Sequence, residues 1–413
     1  MNKATLDSVC LGDVVENVDS LRIPLSSKQR KQRTGQYRYY GAQGVIDYID
    51  DYIYDGLYLL IAEDGENLRS RKQPIAGLVE GRFWVNNHAH VVRANDRSDT
   101  QFLYYLINSI DISGYVTGST QPKLNQANLH SIQLRIPEKS IQASISAFLG
   151  LLDEKIALNN RINDYLAASI KLIFRYWFVD LAPFMGESLK DSKIGQIPKT
   201  IDLVPLAELT KVITKGTTPT TLGYQFTESG INFVKGESIL DSHEFDYGKF
   251  AHIDPEAHQA LKRSVIEEGD LLFTIAGTLG RFALAESDML PANANQAVGI
   301  IRPNQDLLAP EVLYSYFLAG WQNDFYAKNT QRAVQANLSL TTLKSLIVPV
   351  LTQSRRSEYE SQIIPLVNAI KLNALETRQM AEMRDTLLPK LMSGEIDVSQ
   401  VDLTQLNNHL CDC

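Results

Sequence analysis

Leu152-Asp153-Glu154-Lys155-Ile156-Ala157-Leu158-Asn159 and Leu366-Val367-Asn368-Ala369-Ile370-Lys371-Leu372-Asn373 stand 214 positions apart and agree at both leucines, the isoleucine and the final asparagine. The same offset joins Leu124 to Leu338, Leu129 to Leu343, Ser131 to Ser345 and Ala167 to Ala381. These identities are few, and the order of elements gives them weight. Each copy runs from a mixed domain through a proline-marked connector into a long amphipathic helix. The chain therefore reads as two copies of one unit, able to fold with internal twofold pseudosymmetry.

Outward from this stretch the helical period is plain. Ile141, Ile145, Phe148, Leu152, Ile156, Asn159, Ile162, Leu166, Ile170, Ile173 and Trp177 step by threes and fours, the seam of a coiled coil. Such a helix of roughly 37 residues is about 55 Å long. In the second copy Ile363, Leu366, Ile370, Asn373, Thr377, Met380, Arg384, Leu387 and Leu391 continue the pattern with more polar members. Pro365 and Pro389 are expected to kink or bound this helix, and Gly394 to stop it. Asn159 and Asn373 occupy equivalent seam positions and are expected to pair across an antiparallel contact, fixing register.

The mixed domains alternate Tyr, Val and Ile with Gly and Asn at the breaks, which predicts curled β-rich structure. Strands are expected at 37–41, 56–62 and 88–92, then 231–234, 270–275 and 296–301, with helices over 101–109 and 311–318. The resulting fold class is α+β. Its segments are 1–138, a helix over 139–180, a linker over 181–200, a second mixed domain over 201–352, a helix over 353–394 and a tail over 395–413.

With 44% hydrophobic and 21% charged residues the chain is ordinary globular material. It shows no apolar run long enough to span a membrane and no signal-peptide pattern, so a cytoplasmic protein is expected. Three cysteines, Cys10, Cys411 and Cys413, exclude a disulfide framework. Neither Cys411-Asp412-Cys413 nor His88-x-His90 has further ligands at metal-site spacing, so no metal is expected. Phosphate-cradling and dinucleotide glycine motifs are absent, and no Pro-Pro pair occurs for an amino-methyltransferase loop. Cofactors and catalysis are therefore not expected in this chain.

Contact chemistry is what remains. The net charge of −8 speaks against nonspecific nucleic-acid binding, but Arg22 to Arg38 contains Lys28, Arg30, Lys31 and Arg33 with no acid among them. Lys215, Thr217 and Thr218 put a cation and hydroxyls on a turn that could reach phosphates. Thr274, Thr278 and Arg281 surround a loop with exposed backbone N–H groups. Gln331, Arg332, Gln335 and Asn337 carry the donors and acceptors that read base edges, and Gln121, Lys123 and Asn125 occupy the equivalent place in the first copy. Tyr39, Gln43, His88, His90, Lys235 and Gln296 complete the candidate DNA contacts. A twofold protein suits a bipartite partner, of which DNA is the commonest.

Several motifs together carry a resemblance. They are the 152–163 stretch with Trp177-Phe178-Val179-Asp180, then Asp191-Ser192-x-Ile194-Gly195-x-Ile197-Pro198, and Leu387-Leu388-Pro389-Lys390-Leu391-Met392-Ser393-Gly394-Glu395-Ile396. The first domain adds Tyr39-Tyr40-Gly41-Ala42-Gln43-Gly44, Leu60-Ile61-Ala62-Glu63-Asp64-Gly65 and Asn87-His88-Ala89-His90-Val91. In these residues, and over nearly its whole length, the chain resembles the specificity subunit of type I restriction-modification systems.

The resemblance implies two target-recognition domains, each reading half of a bipartite double-stranded DNA site about one turn apart, roughly 34 to 36 Å. It implies two antiparallel helices that act as spacer and as docking surface for methylation subunits, expected to number two, with a restriction subunit joining them. S-adenosylmethionine, ATP and Mg would belong to those partners. A stand-alone DNA-binding regulator is the alternative. Leu403–Cys413 extends past the usual ending of such subunits, with no role to assign.

Overall fold

The structure, a computed structural model, describes residues 5–193, 195–323 and 337–398. The chain divides into two compact units, Met1–Leu158 with Thr377–Cys413, and Asn159–Glu376. Both unit boundaries fall inside the long helices, so each unit owns one mixed domain and a stretch of each helix.

The strands of the first unit are β1 (Asp7–Cys10), β2 (Val15–Asn17), β3 (Thr34–Gly41), β4 (Gly44–Ile49), β5 (Tyr54–Ala62), β6 (Ala76–Val85), β7 (Ala89–Ala94) and β8 (Gln133–Ile136). Its helices are α1 (Ser27–Gln32), α2 (Asn67–Ser70), α3 (Thr100–Ser109), α4 (Gln126–Ser131) and the start of α5 (Lys139–Phe178). Six strands form one sheet in the order β2-β7-β5-β6-β3-β4, and β1 pairs with β8.

The β6–β7 connection shows how strongly that sheet coils. Both strands run antiparallel to β5 on opposite sides, yet Phe83 near the end of β6 faces Tyr54 while Ala89 at the start of β7 faces Ala62. Only residues 86–88 link them. Three residues reach at most about 14 Å, whereas the nine residues of β5 would measure about 30 Å if straight. The sheet must curl until the two ends of β5 approach. Its strands are consequently buried on both faces. Leu59 and Ile61 pack with Phe102, Leu103 and Leu106 of α3, while Tyr58 and Leu60 meet Tyr40, Tyr54 and Phe83 in a separate cluster.

The second unit contains β9 (Leu189–Ser192), β10 (Gly195–Pro198), β11 (Ile201–Pro205), β12 (Thr210–Lys215), β13 (Ile231–Val234), β14 (Ala251–Ile253), β15 (Val265–Ile266), β16 (Leu271–Thr274), β17 (Phe282–Leu284), β18 (Ala292–Ala294), β19 (Val298–Pro303) and β20 (Ile347–Leu351). Its helices are α6 (Pro255–Ala260), α7 (Pro310–Leu318), α8 (Leu340–Lys344) and the first part of α9 (Gln353–Met392). Two four-stranded sheets, β12-β19-β16-β17 and β14-β13-β18-β15, share the core. Leu271 and Phe273 face one cluster and Leu272 with Val298 and Ile300 another, the two-sided burial that makes these strands nearly continuous hydrophobic runs.

The repeat is carried into three dimensions position by position. Helices α5 and α9 are both 40 residues long, and their bounds differ by the offset of 214. Helices α4 and α8 are capped at equivalent places by Asn125 and Ser339. Just before those caps, Leu124 N donates to Glu63 O at 2.8 Å, and Leu338 N to Ile275 O at 2.9 Å. Trp177 and Phe178 at the end of α5 pack edge-on against Tyr359, and their counterparts Leu391 and Met392 share a cluster with Ile145, the counterpart of Tyr359.

Three expectations for the helices need correction. Asn159 and Asn373 do not pair with each other: Asn159 Nδ2 donates to Glu376 Oε2 at 2.7 Å, and Asn373 Nδ2 to Asn163 Oδ1 at 2.9 Å. Equivalent positions of an antiparallel pair are not opposite one another in general, and here they lie about one turn out of step. Of the two outcomes expected for Pro365 and Pro389, kinking or bounding α9, the second does not occur, since the helix runs through both. Each is exposed, as are Ser361 and Asp385, the residues whose carbonyls lose their helical donor. Finally, the seam is not continuous, because Ile162 is exposed. Gly394 does stop α9, with φ of 69° and its N–H on Leu391 O.

Candidate nucleic-acid interface

In the first unit, three loops that are distant in sequence are stitched together by main-chain bonds. Glu63 N donates to His88 O at 2.9 Å, Leu124 N to Glu63 O, and Gly65 N to Pro122 O at 3.1 Å. This brings His88, Gln121 and Lys123 to one place, all exposed. His88 Nδ1 meets Asp64 Oδ2 at 2.7 Å, which fixes the ring and leaves Nε2 outward. Lys123 Nζ lies 3.5 Å from Glu63. Arg69, which sequence reading passed over, holds the far side by donating to the carbonyls of Gly118 and Ser119. Asn125 sits beside the cluster, but its side chain is engaged in capping α4 by accepting from Asn128 N at 2.9 Å.

His90 belongs to the interior instead. Its ring is 1% exposed, between Asp19 Oδ2 at 2.6 Å and Leu124 O at 2.8 Å. The ring is thus held from both sides, by a carboxylate and by a main-chain carbonyl. Burial pushes the Asp19 carboxyl up, but the bonds from His90 and Val91 N and the charges of His90 and Arg22 outweigh it, holding Asp19 below its ordinary value. Strand alternation offers no warning here, because the strong curl buries both faces of β7. His90 is a strut under the loops, not a DNA contact.

The basic stretch is likewise reassigned. Arg30 Nε pairs with Asp47 at 3.0 Å and Arg33 Nε with Asp50 at 2.8 Å, while Arg38 donates to Glu80 O. The guanidinium groups of Arg30 and Arg33 also cover Tyr39 and Trp84. The acids that looked remote along the chain arrive beside α1 when β3 and β4 fold into a hairpin. Tyr39 is fully buried, with its hydroxyl bonded to the Leu25 backbone. Of this group Lys28 and Lys31 remain exposed, as does Gln43 at the β3–β4 turn.

In the second unit, main-chain bonds again collect the candidates at one end of the sheets. Gly216 N donates to Val298 O, Thr217 N to Ala294 O, Asn295 N to Val234 O and Ile275 N to Ala297 O, all between 2.8 and 3.1 Å. Lys215, Thr217, Thr218, Lys235 and Gln296 therefore share one surface. The approach is so close at Gly216 that a Cβ there would lie 1.9 Å from Ala294 O. Thr218 Oγ1 donates to Gln296 Oε1, and Lys235 Nζ stands 5.0 Å over the Phe226 ring. Asn337 joins the same surface through its bridge to Ala276, the counterpart of the Asp64–Lys123 bridge in the first unit.

Thr274 and Arg281 take structural roles. Thr274 is buried, and its hydroxyl accepts from Arg281 N at 2.9 Å and donates to Thr278 O, closing the loop. Arg281 makes a two-pronged pair with Asp241 at 2.7 Å on each arm and donates to Ile239 O. Thr278 is left exposed on the loop tip. Gln331, Arg332 and Gln335 lie outside the described residues, as do Cys411 and Cys413. Among the described residues no group of three His, Cys, Asp or Glu could hold a metal ion, and no helix is long and apolar enough to cross a membrane.

A cluster of amide, hydroxyl and ammonium groups on loops held from beneath can fix phosphates and read base edges. A model of the type I restriction modification DNA specificity domain matches residues 4–168 and again 198–352. A putative type I restriction enzyme specificity subunit of Haemophilus influenzae is 27% identical over 360 residues, covering 87% of this chain and 88% of its own. The type I restriction enzyme MjaIX specificity subunit of Methanocaldococcus jannaschii is 22% identical over 351 residues, covering 83% and 80%. The crystal structure of a type I restriction-modification S subunit from M. genitalium shares the fold, with a TM-score of 0.63 at 15% identity over 95% of this chain and 97% of that one.

Proposed function

Because this chain belongs to the family of type I restriction modification DNA specificity domains, two of which it carries, we infer that it is the address-giving subunit of a type I restriction-modification complex. Each mixed domain reads one half of a bipartite double-stranded DNA site. The observation that carries this is the pair of loop surfaces, Gln121/Lys123/His88 in one unit and Lys215/Thr217/Thr218/Lys235/Gln296 in the other, each joined by an equivalent bridge to the segment just before α4 or α8. Lysines hold phosphates in register, while amides and the outward imidazole nitrogen of His88 read bases, good bidentate pairs being worth about 1 to 3 kcal/mol each.

The chain contributes no catalytic group under this reading. Methylation requires a partner that flips the target adenine and brings S-adenosylmethionine, and a restriction subunit would bring ATP and Mg. Helices α5 and α9 offer the docking surface for the methylation subunits, and their length sets the number of unread bases. Likeness over most of the chain to specificity subunits displaces the stand-alone regulator reading.

Single-molecule methylation sequencing of DNA from cells expressing this chain with its cognate methylation subunit tests the proposal. A bipartite motif with modified adenine in both halves is expected. Unmodified DNA, with expression and complex formation verified, would overturn it.

A further inference from the structure

Residues 86–88 join β6 to β7 in the first unit, and residues 295–297 join β18 to β19 in the second. Each connector leaves a strand that runs parallel to its neighbour, β6 along β3 and β18 along β13. Each then enters a strand that pairs antiparallel with another, β7 with β5 and β19 with β16. Both begin with an asparagine whose N–H donates to the parallel strand, Asn86 N to Tyr40 O and Asn295 N to Val234 O, at 3.0 Å in each case. The side-chain oxygen of that asparagine accepts from the main chain two residues on, from His88 N at 2.8 Å and from Ala297 N at 3.1 Å. The carbonyls of His88 and Ala297 complete the frame by accepting from Glu63 N and Ile275 N. These turns stand 209 positions apart, not 214, so the offset that relates the helices does not find them.

Within the frame the middle residues, Asn87 and Gln296, are exposed at the tip. Among the described residues the Asn87 amide has no hydrogen-bond partner. Gln296 Oε1 accepts from Thr218 Oγ1, which steadies that amide while its NH2 and a second oxygen lone pair stay unspent. A side-chain amide can take adenine by two bonds, its oxygen accepting from N6 and its NH2 donating to N7. Each turn also has one lysine beside it, but from a different segment. Lys123 precedes Leu124, whose N–H bonds Glu63 O, and its counterpart in the second unit is Asn337. Lys235 follows Val234, and its counterpart in the first unit is Gly41. The cation has changed segment between the units while the amide has kept the tip, which singles out the amide as the shared reading group.

Resting on the reading that each mixed domain takes one half-site, we propose that Asn87 and Gln296 are equivalent specificity-determining residues, each reading one adenine from the tip of an asparagine-anchored turn. His88 and Ala297, next along the turns, make the surroundings of the two adenines differ: an imidazole held by Asp64 stands beside the first, and only a methyl group beside the second.

The test uses the full-length chain with its cognate methylation subunit, bound to DNA in which both half-sites are randomised, with sequencing of the bound fraction and affinity measured by fluorescence anisotropy. Asn87→Ala should relax selection of adenine at a single position of one half by about tenfold or more, and Gln296→Ala should do so at a single position of the other. Each should leave the opposite half and the melting temperature unchanged. Asn87→Asp keeps the shape of the side chain but only accepts, so it should move the preference at that position from adenine to cytosine, a result that a structural role would not produce. Relaxation at no position, at a position that does not select adenine, or in both halves from one substitution would overturn the proposal. A uniform loss of affinity for all sequences would also overturn it, since that marks a phosphate contact. Selection of no bipartite sequence by the wild-type complex, with complex formation verified, would instead remove the half-site reading on which the proposal rests.

Discussion

Replacing His90 by leucine should unfold the first unit more readily without touching the DNA surface directly. The buried ring is hydrogen-bonded to both Asp19 Oδ2 and Leu124 O. Leucine fills similar space but offers neither bond. Removing one partner of a buried charged pair costs about 3 to 5 kcal/mol. The lower part of that range applies to Asp19, which keeps Val91 N at 2.7 Å and the Arg22 guanidinium at 3.5 Å. The orphaned Leu124 carbonyl adds about 1 kcal/mol or more. The sum is about 4 kcal/mol, or roughly 8 to 16 °C in the melting of a unit this size.

Scanning calorimetry of the full chain is the assay, with His88→Ala, at an exposed position, as the control that should melt within about 2 °C of wild type. The pH dependence carries a definite sign. Asp19 is depressed in the fold, so the stability it brings is fully present above the ordinary carboxylate value of about 3.9 and is lost as pH falls through its lower folded value. The gap between wild type and His90→Leu should therefore narrow as pH falls below about 4. A variant that melts with wild type, yet loses DNA affinity as His88→Ala does, would refute the strut and return His90 to the interface.

Other expectations concern the second unit. Lys215→Ala and Lys235→Ala should each weaken binding across all sequences and lower the salt slope by about 1, read by fluorescence anisotropy at several salt concentrations. Arg281→Ala should leave that slope unchanged, since its guanidinium is committed to Asp241. Arg302→Met removes the two-pronged partner of fully buried Asp270 and should cost the second unit about 3 to 5 kcal/mol in calorimetry. Gly216→Ala should force β12 away from Ala294, reducing readout of one half-site while a DNA carrying only the other half binds as before.

Periodicity and repeat are local properties, so they can be read along the chain. A helix with a two-residue error in its seam buries the wrong face, and Ile145, Leu152, Ile170 and Trp177 therefore announce α5. The 214-residue offset gave α9 the same length, and turn-rich Tyr, Val and Ile runs marked β3, β5, β7, β13, β16 and β19, six of the twenty strands among the described residues. Main-chain stitching brought Lys123 together with His88, and Lys215 with Gln296, a proximity that residue types alone do not give.

Pairing is not local, and here the chain alone misleads. Whether an arginine is available to a phosphate depends on which carboxylate the fold delivers to it: the β3–β4 hairpin brings Asp47 to Arg30, and the 239–245 loop brings Asp241 to Arg281. His88 and His90 differ by one pleat, yet coiling of the sheet leaves one exposed and buries the other. Asn159 and Asn373 share a register in the repeat but not across the helix contact, because an antiparallel pair matches residues by the crossing point of the two helices. Period and repeat were set by the order of residues, while charge availability, burial and helix register were set by which segments the tertiary structure placed side by side.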